Sequence, residues 1–475
     1  MDVMAEQCTG RGASGVVCAA APLAAQAGAA ALRDGGNAFD AVVAAGLAET
    51  VLLPSKCGLG GDLVAIAVVA GAESPTALLA IGGAPAGLAA VAADGGLSDT
   101  GPMSVGPPAA PRGHAALAER GHLGLPRLTA PAVDLARTGF PWAAVNHRLS
   151  LASIELLRRW NPEGTVYLPG DAPITPGTLV RLDRLADVLE EFGRRGGGLM
   201  AGPVGDAVVA AVAARGGVLT ADDLATARAE WVPCASGALD GRTLWATPAP
   251  THGPSLIDAV TGAAAGEDSG GVYRRVLQAI GRRRATLADP SGTSIVSAAD
   301  REGNAVVVIH SNSYPRFGSG IVVEGYDLVL ANRAGRGFSS DPDHPNFPVA
   351  GRRPATTLHA WAVADDDGRP MLLGGTPGGE NQMPWNAQML QQIADGERRP
   401  GHLVTAPRWE WLPTDDGVRV EDGVDAETLS AVAPRFVSVH RWGLPSAQQV
   451  VAVPRDGAAI VGAADPRTVG AAVGV

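Results

Sequence analysis

"SGTSIVSAADREGNAVVVIHSN", residues 291–312, decides the fold. Read at period two, Thr293, Ile295, Ser297 and Ala299 share one face of a strand, and Ser294, Val296 and Ala298 share the other. Asp300-Arg301-Glu302-Gly303-Asn304 follows as a turn, with its glycine placed for positive φ, and residues 305–309 return as a second strand. Small hydroxyl residues behind a glycine are poor core material at the mouth of such a hairpin. They suit a chain that is cut there. Cleavage between Gly292 and Thr293 would give Thr293 a free α-amine, of pKa about 7.7–8.0, beside a hydroxyl that alone is a weak nucleophile. One residue would then supply both nucleophile and base. The plain alternative is an ordinary hairpin.

Outward from the hairpin, "PLAAQAGAAALRDGGNAFDAVVAAGLAETVLLP" (22–54) predicts two alanine-rich helices. Gly35-Gly36 closes the first, and Asn37 caps the second, which ends before Pro54. "KCGLGGDLVAIAVVAG" (56–71) is a glycine turn running into a strand buried on both faces. Its GLGG lacks the Lys-Ser/Thr pair of a phosphate loop and precedes a strand instead of following one, which excludes that reading. Residues 113–159 and 203–228 read as mainly helical, with Thr220 capping a helix ahead of Asp222 and Asp223. "TPAPTHGPSL" (247–256) reads as a loop, and the glycine- and arginine-rich run 262–290 as an exposed connection. Strands recur in "GIVVEG", "LVLAN", "ATTLHAWAVAD", "MLLGG" and "VVAVPRDGAAIVGAAD", around a helix in "NQMPWNAQMLQQIADG". This order predicts layered α/β architecture with substantial antiparallel sheet.

The chain has 475 residues, 46% of them hydrophobic, which allows a large core. A net charge of −11 speaks against nucleic acid as a partner, because phosphate contacts demand a basic surface. Arginine is the default cation, and Lys56 is the only lysine. Cys8, Cys18, Cys57 and Cys234 are scattered without a CxxC pair or metal-ligand spacing, so reduced thiols and no zinc are expected. Asp2 and Glu6 stand where a secretory leader wants lysine or arginine, and no apolar run reaches membrane-spanning length. A cytoplasmic protein without a membrane partner is expected.

The hairpin "TSIVSAADREGNAV" resembles the catalytic strand of γ-glutamyltranspeptidases, N-terminal-nucleophile enzymes that cleave themselves before a threonine. Further segments resemble that family in order: "GGNAFDAVVAA", "LPSKCGLGGD", "PAVDLARTGFP", "GGVLTADDLA", "RFGSGIVV", "GRRPATTL", "GGTPGG" and "APRWEWLP". The resemblance implies a four-layer αββα sandwich, maturation into residues 1–292 and 293–475 as a heterodimer within one body, a small-molecule substrate, and no metal or organic cofactor. It implies Thr293 as nucleophile, Ser311 as the hydroxyl partner of its amine, and Gly378 and Gly379 as backbone donors to the oxyanion. Thr356 and Thr357 stand where the family has a serine pair, although both also suit a strand.

The departures concern the substrate. "AIGGAPAG" has no arginine where the family binds the γ-glutamyl carboxylate, and "LANRAGRGF" offers Arg333 and Arg336 where it binds the α-amine with an acid. Ser313 replaces an asparagine of the family. A divergent branch in actinobacterial antibiotic pathways, including those making alkylproline units of lincomycin-like compounds, suggests hydrolysis of a carbon–carbon bond beside a keto-acid. Arg333 would hold its carboxylate bidentately, and Arg333→Ala would lower turnover about tenfold while sparing autocleavage. The alternatives are a γ-glutamyl or other amide hydrolase, and an unprocessed binding scaffold.

Overall fold

The expected hairpin forms, with Ser294–Asp300 antiparallel to Ala305–Ser311, Ser294 opposite His310 and Ala299 opposite Ala305. The computed structural model describes residues 3–284, 293–455 and 457–475. Gly303 closes the turn at φ 102°, in the region glycine occupies without steric cost. Asp300 organises it, accepting the N–H groups of Glu302 and Asn304 at 2.9 and 3.1 Å and that of Ala38 at 2.6 Å. The turn is thereby tied to the start of helix Ala38–Leu52, whose residues are all buried.

The hairpin lies at the centre of a seven-stranded sheet ordered Ala471–Gly474, Gly15–Ala19, Ser294–Asp300, Ala305–Ser311, Asp62–Val68, Thr76–Ala80 and Glu230–Pro233. A second sheet runs Thr9–Gly12, Ile460–Ala464, Gln449–Ala452, Pro370–Gly375, Ala360–Ala364, Arg242–Ala246 and Ala235–Leu239. Both sheets take strands from each side of residue 293. Their inner faces share one core, in which Ile295, Val307 and Ile309 belong to the same cluster as Ala362, Leu373 and Val451. On the outer face of the first sheet, Val296, Val306 and Val308 pack with helices Pro22–Arg33 and Ala38–Leu52. Trp361, Val363 and Leu372 do the same for Gly253–Val260, Ser269–Arg284 and Gln382–Ala394 on the second. Each such buried side chain contributes about 1.5–3 kcal/mol. This is the expected four-layer αββα sandwich.

Several local expectations are corrected. Residues 285–290 lie outside the described residues, and the described part of the run, 262–284, is not an exposed connection: it contains helix Ser269–Arg284, which buries Val272, Tyr273, Val276, Ala279 and Ile280 at helical spacing. Its arginines hid that stripe. Thr356 and Thr357 lie ahead of strand Ala360–Ala364 in a buried loop, so they are not strand residues. "TPAPTHGPSL" runs into helix Gly253–Val260, with proline in its first turn. "GIVVEG" and "LVLAN" shrink to a two-residue pairing of Val322–Val323 with Leu328–Val329. The strands Thr9–Gly12, Gly15–Ala19 and Ala471–Gly474 were not anticipated. All four cysteines are free. Among the described residues no single helix is long and apolar enough to cross a membrane.

Candidate active site

Thr293 immediately precedes its strand and is buried, on the face that the alternation assigns to the space between the sheets. Its Oγ1 donates to Ser311 Oγ across 3.3 Å, at the facing end of the partner strand. Ser311 Oγ also accepts the N–H of Ser313 at 2.8 Å. That contact holds the chain where it turns through Ser313, which is buried at φ 66°. Gly292, expected on the far side of the cleaved bond, lies outside the described residues.

The opposite face of the hairpin is held by Glu49, a residue the sequence reading did not single out. Its carboxylate accepts Ser294 Oγ at 2.6 Å, the ring N–H of His310 at 2.8 Å and the N–H of Ala20 at 2.7 Å. Ser294 follows the threonine and His310 precedes Ser311, so one buried carboxylate fixes the neighbours of both hydroxyl residues. The Cys57 thiol completes a group whose ligand-type atoms lie within 4.8 Å of one another. Burial pushes that thiol far up from its ordinary pKa, and it contacts the carbonyls of Glu49 and Leu53 at 3.7 and 3.8 Å. With Glu49 already accepting three donors, the group is a hydrogen-bond hub and a poor metal cradle.

The glycine loop arrives from the other sheet. An added Cβ on Gly375 would stand 3.1 and 3.3 Å from the Cδ1 atoms of Ile309 and Ile295, so the strand feeding the loop lies directly across from the hairpin. Gly378 (φ 146°) and Gly379 (φ 64°) then lead through a short 3-10 turn, Gly379–Asn381, into helix Gln382–Ala394. A Cβ on Gly378 would run into the Trp385 ring. Backbone N–H groups at a helix start lack intrahelical acceptors, which suits them to a developing oxyanion. Thr357 Oγ1 accepts Gln382 Nε2 at 3.3 Å, and the Thr356 N–H donates to the Pro250 carbonyl at 3.0 Å. The two-threonine loop is thus joined both to this helix and to the loop before Gly253–Val260. His252, in that latter loop, is buried, and its Nε2 has no hydrogen-bond partner among the described residues. Burial first, then the Arg283 charge, push its pKa well below the ordinary imidazole value.

Arg333 is not a surface residue. It is 2% exposed, and its Nε donates to Asp62 Oδ2 at 2.9 Å. Asp62 is paired with Ser311 in the sheet and also accepts the Gly82 N–H at 2.9 Å. Burial raises the Asp62 pKa, and the Arg333 charge opposes that rise. The Nε edge of the Arg333 fork is therefore committed to an internal carboxylate, a partner the sequence reading missed. Arg336 pairs instead with the exposed Asp99.

Residues 24–266 and 273–475 match the family model described as Gamma-glutamyltranspeptidase. The oxamate amidohydrolase proenzyme of Klebsiella pneumoniae is 28% identical, over 97% of this chain and 98% of that protein. The glutathione hydrolase-like YwrD proenzyme of Bacillus subtilis is 27% identical, over 95% and 97%. Among solved structures, cephalosporin acylase from Bacillus halodurans superposes with a TM-score of 0.86 at 27% identity, covering 98% of this chain and 97% of that one. The structure of LmbA2991HD gives a TM-score of 0.83 at 24% identity, covering 98% and 99%, and shares the fold.

Proposed function

The chain belongs to the γ-glutamyltranspeptidase family, and from that premise we propose an autoprocessed N-terminal-threonine hydrolase that works through an acyl-enzyme on a substrate other than glutathione. The observation that carries this reading is the Thr293–Ser311 hydroxyl contact at the buried end of the hairpin. Maturation would begin with Thr293 Oγ attacking the Gly292 carbonyl. The N→O shift turns the peptide into an ester and frees the Thr293 amine, and water then hydrolyses the ester, releasing the Thr293 hydroxyl and a Gly292 carboxylate. Residues 1–292 would become the large subunit and 293–475 the small one, interleaved in both sheets. Relatives named as proenzymes support this step.

In turnover, Thr293 Oγ attacks the substrate carbonyl while the α-amine takes its proton. Ser311 holds that amine, and the Gly378 and Gly379 N–H groups receive the oxyanion. Collapse expels the leaving group, which is protonated as it departs, and water then releases the acid. Ser313, Thr356, Thr357 and Arg333 line the acyl side. A substrate other than a γ-glutamyl compound is supported by the missing arginine in "AIGGAPAG" and the missing acid in "LANRAGRGF". The substrate we propose carries a short keto-acid acyl group. By the resemblance to alkylproline-pathway enzymes, the bond broken is carbon–carbon, which requires conjugation that stabilises the departing carbon. A second reading, amide hydrolysis, is favoured by the similarity to an oxamate amidohydrolase and to a cephalosporin acylase.

A denaturing gel followed by paired assays tests this. Two fragments, active on a keto-acid or oxamate substrate and inert toward glutathione, are expected. A protein that stays whole would leave only the binding-scaffold reading. Glutathione turnover at ordinary transpeptidase efficiency would restore the γ-glutamyl one. Faster release from an amide than from the carbon-linked analogue decides for the second bond type.

A further inference from the structure

Lys56 is the only lysine in a chain whose other side-chain cations, histidines apart, are all arginine. It lies in the turn between helix Ala38–Leu52 and strand Asp62–Val68, where its carbonyl accepts the N–H of Asn312 at 2.8 Å, next to Ser311. The preceding carbonyl, of Ser55, accepts the N–H of Phe317 at 2.9 Å. The turn is thus stitched to the chain that leaves the candidate active site.

The side chain is 9% exposed, yet its ammonium makes no hydrogen bond and no ion pair among the described residues. Charges of both signs reach it. Arg316 and Arg148 repel it, while Glu49 and Cys57 act in the other sense. Neither arginine has a carboxylate partner among the described residues, and Arg316 makes only a cation–π contact with Tyr314, at 5.9 Å. Glu49 acts on the group only through space: no hydrogen bond joins them among the described residues, and its oxygens accept Ser294, His310 and Ala20. Helix Ala144–Ala152, which carries Arg148, docks here through Asn146 Nδ2 on the Leu52 carbonyl at 2.7 Å. The Arg316 carbonyl accepts Ser153 Oγ at 3.2 Å. On these same elements the hydroxyls of Ser55, Ser150 and Ser313 are buried without hydrogen-bond partners among the described residues.

An ammonium on a largely buried residue, with no ion-pair partner among the described residues, costs the fold stability. We propose that Lys56, Arg316 and Arg148 form a binding site for a carboxylate of a small molecule, with the hydroxyls of Ser55, Ser150 and Ser313 completing its hydrogen bonds. The carboxylate would replace solvent around the ammonium and turn mutual repulsion into shared attraction. Two sources offer that chemistry: the substrate's own carboxylate, reaching past Ser313, or a separate small acid. The site stands whether or not the hydrolase reading does; only the substrate source rests on it.

Because there is one lysine, protein grown with 13C-labelled lysine reports this site alone by NMR, with no turnover required. The probe is oxalate. In the free protein the Lys56 side-chain signal is expected to titrate near pH 8, where burial and Arg316 place it, with Arg148 adding to the same effect. Saturating oxalate should move the signal and raise its midpoint by about one unit or more, as an opposite charge does. Lys56→Met should abolish oxalate binding, measured by calorimetry, without lowering the melting temperature. Arg316→Gln should weaken it about tenfold, the worth of one charged hydrogen bond. A Lys56 signal indifferent to oxalate, or a Lys56→Met protein that binds it as wild type does, overturns the proposal. Competition by oxalate against oxamate turnover assigns the carboxylate to the substrate, and non-competitive behaviour assigns it to a separate acid. Failure of Thr293 chemistry would sink the hydrolase reading and leave the NMR result standing.

Discussion

Glu49 and Lys56 sit at the end of one buried helix and in the turn that follows it, and their charges are handled in opposite ways. Glu49 is wrapped by three donors from three segments, one of them the residue beside Thr293. Among the described residues Lys56 has no acceptor, and Arg316 and Arg148 repel it while Glu49 attracts it only through space. A buried charge that is fully hydrogen-bonded holds its neighbours in one arrangement, while one left unpaired costs stability. On this account the first charge positions the hairpin and the second awaits a carboxylate from solution.

The largest effect should follow from Glu49→Ala. Three buried donors lose their acceptor at about 1–3 kcal/mol each, so a loss on the order of 5 kcal/mol is expected in denaturant unfolding, with slowed maturation. A variant as stable as wild type would remove Glu49 from its positioning role. Next comes Arg333→Ala, which strands the Asp62 carboxylate in the interior and should cost about 3–4 kcal/mol. Asp62→Asn in the same chain should recover part of that. If stability is unchanged but turnover falls tenfold, Arg333 serves the substrate more than the fold.

The smallest effect separates Lys56 from both. Its folded pKa of about 8 lies below the unfolded value of about 10.4. Between those values the unfolded chain holds a proton that the native protein has lost, so stability rises with pH. The contribution is fully present above about 10.4 and is lost as pH falls through 8. Raising pH from 7.5 to 9 should add about 1 kcal/mol from this group, and Lys56→Met should flatten that slope. A slope that persists in the variant belongs to another residue.

What the sequence made legible was local. The alternation in 294–311, the capping box of Asn37 with Asp40 and the positive-φ turn at Gly303 are all set by neighbours along the chain. So is the Thr220–Asp223 box. What stayed hidden depends on distant chain. Glu49 meets Ser294 and His310 from the other side of the proposed cleavage point, and Asp62 meets Arg333 across a similar span. No local pattern marks an acid for such a role. Lys56 was visible as the only lysine, but its isolation appears only once Arg148 and Arg316 are brought beside it. The arginines of helix Ser269–Arg284 are dense enough to mask an apolar stripe that only its helical periodicity reveals.

The most direct test of the account is a time course of the purified protein and its Thr293→Ala variant on a denaturing gel, with N-terminal sequencing of any small fragment. The wild type should yield a fragment of roughly 18–19 kDa from the 48.0 kDa chain, beginning Thr-Ser-Ile-Val, and the variant should remain whole and inactive. Cleavage of the Thr293→Ala chain at the same bond, or an active wild-type protein that never splits, would contradict it.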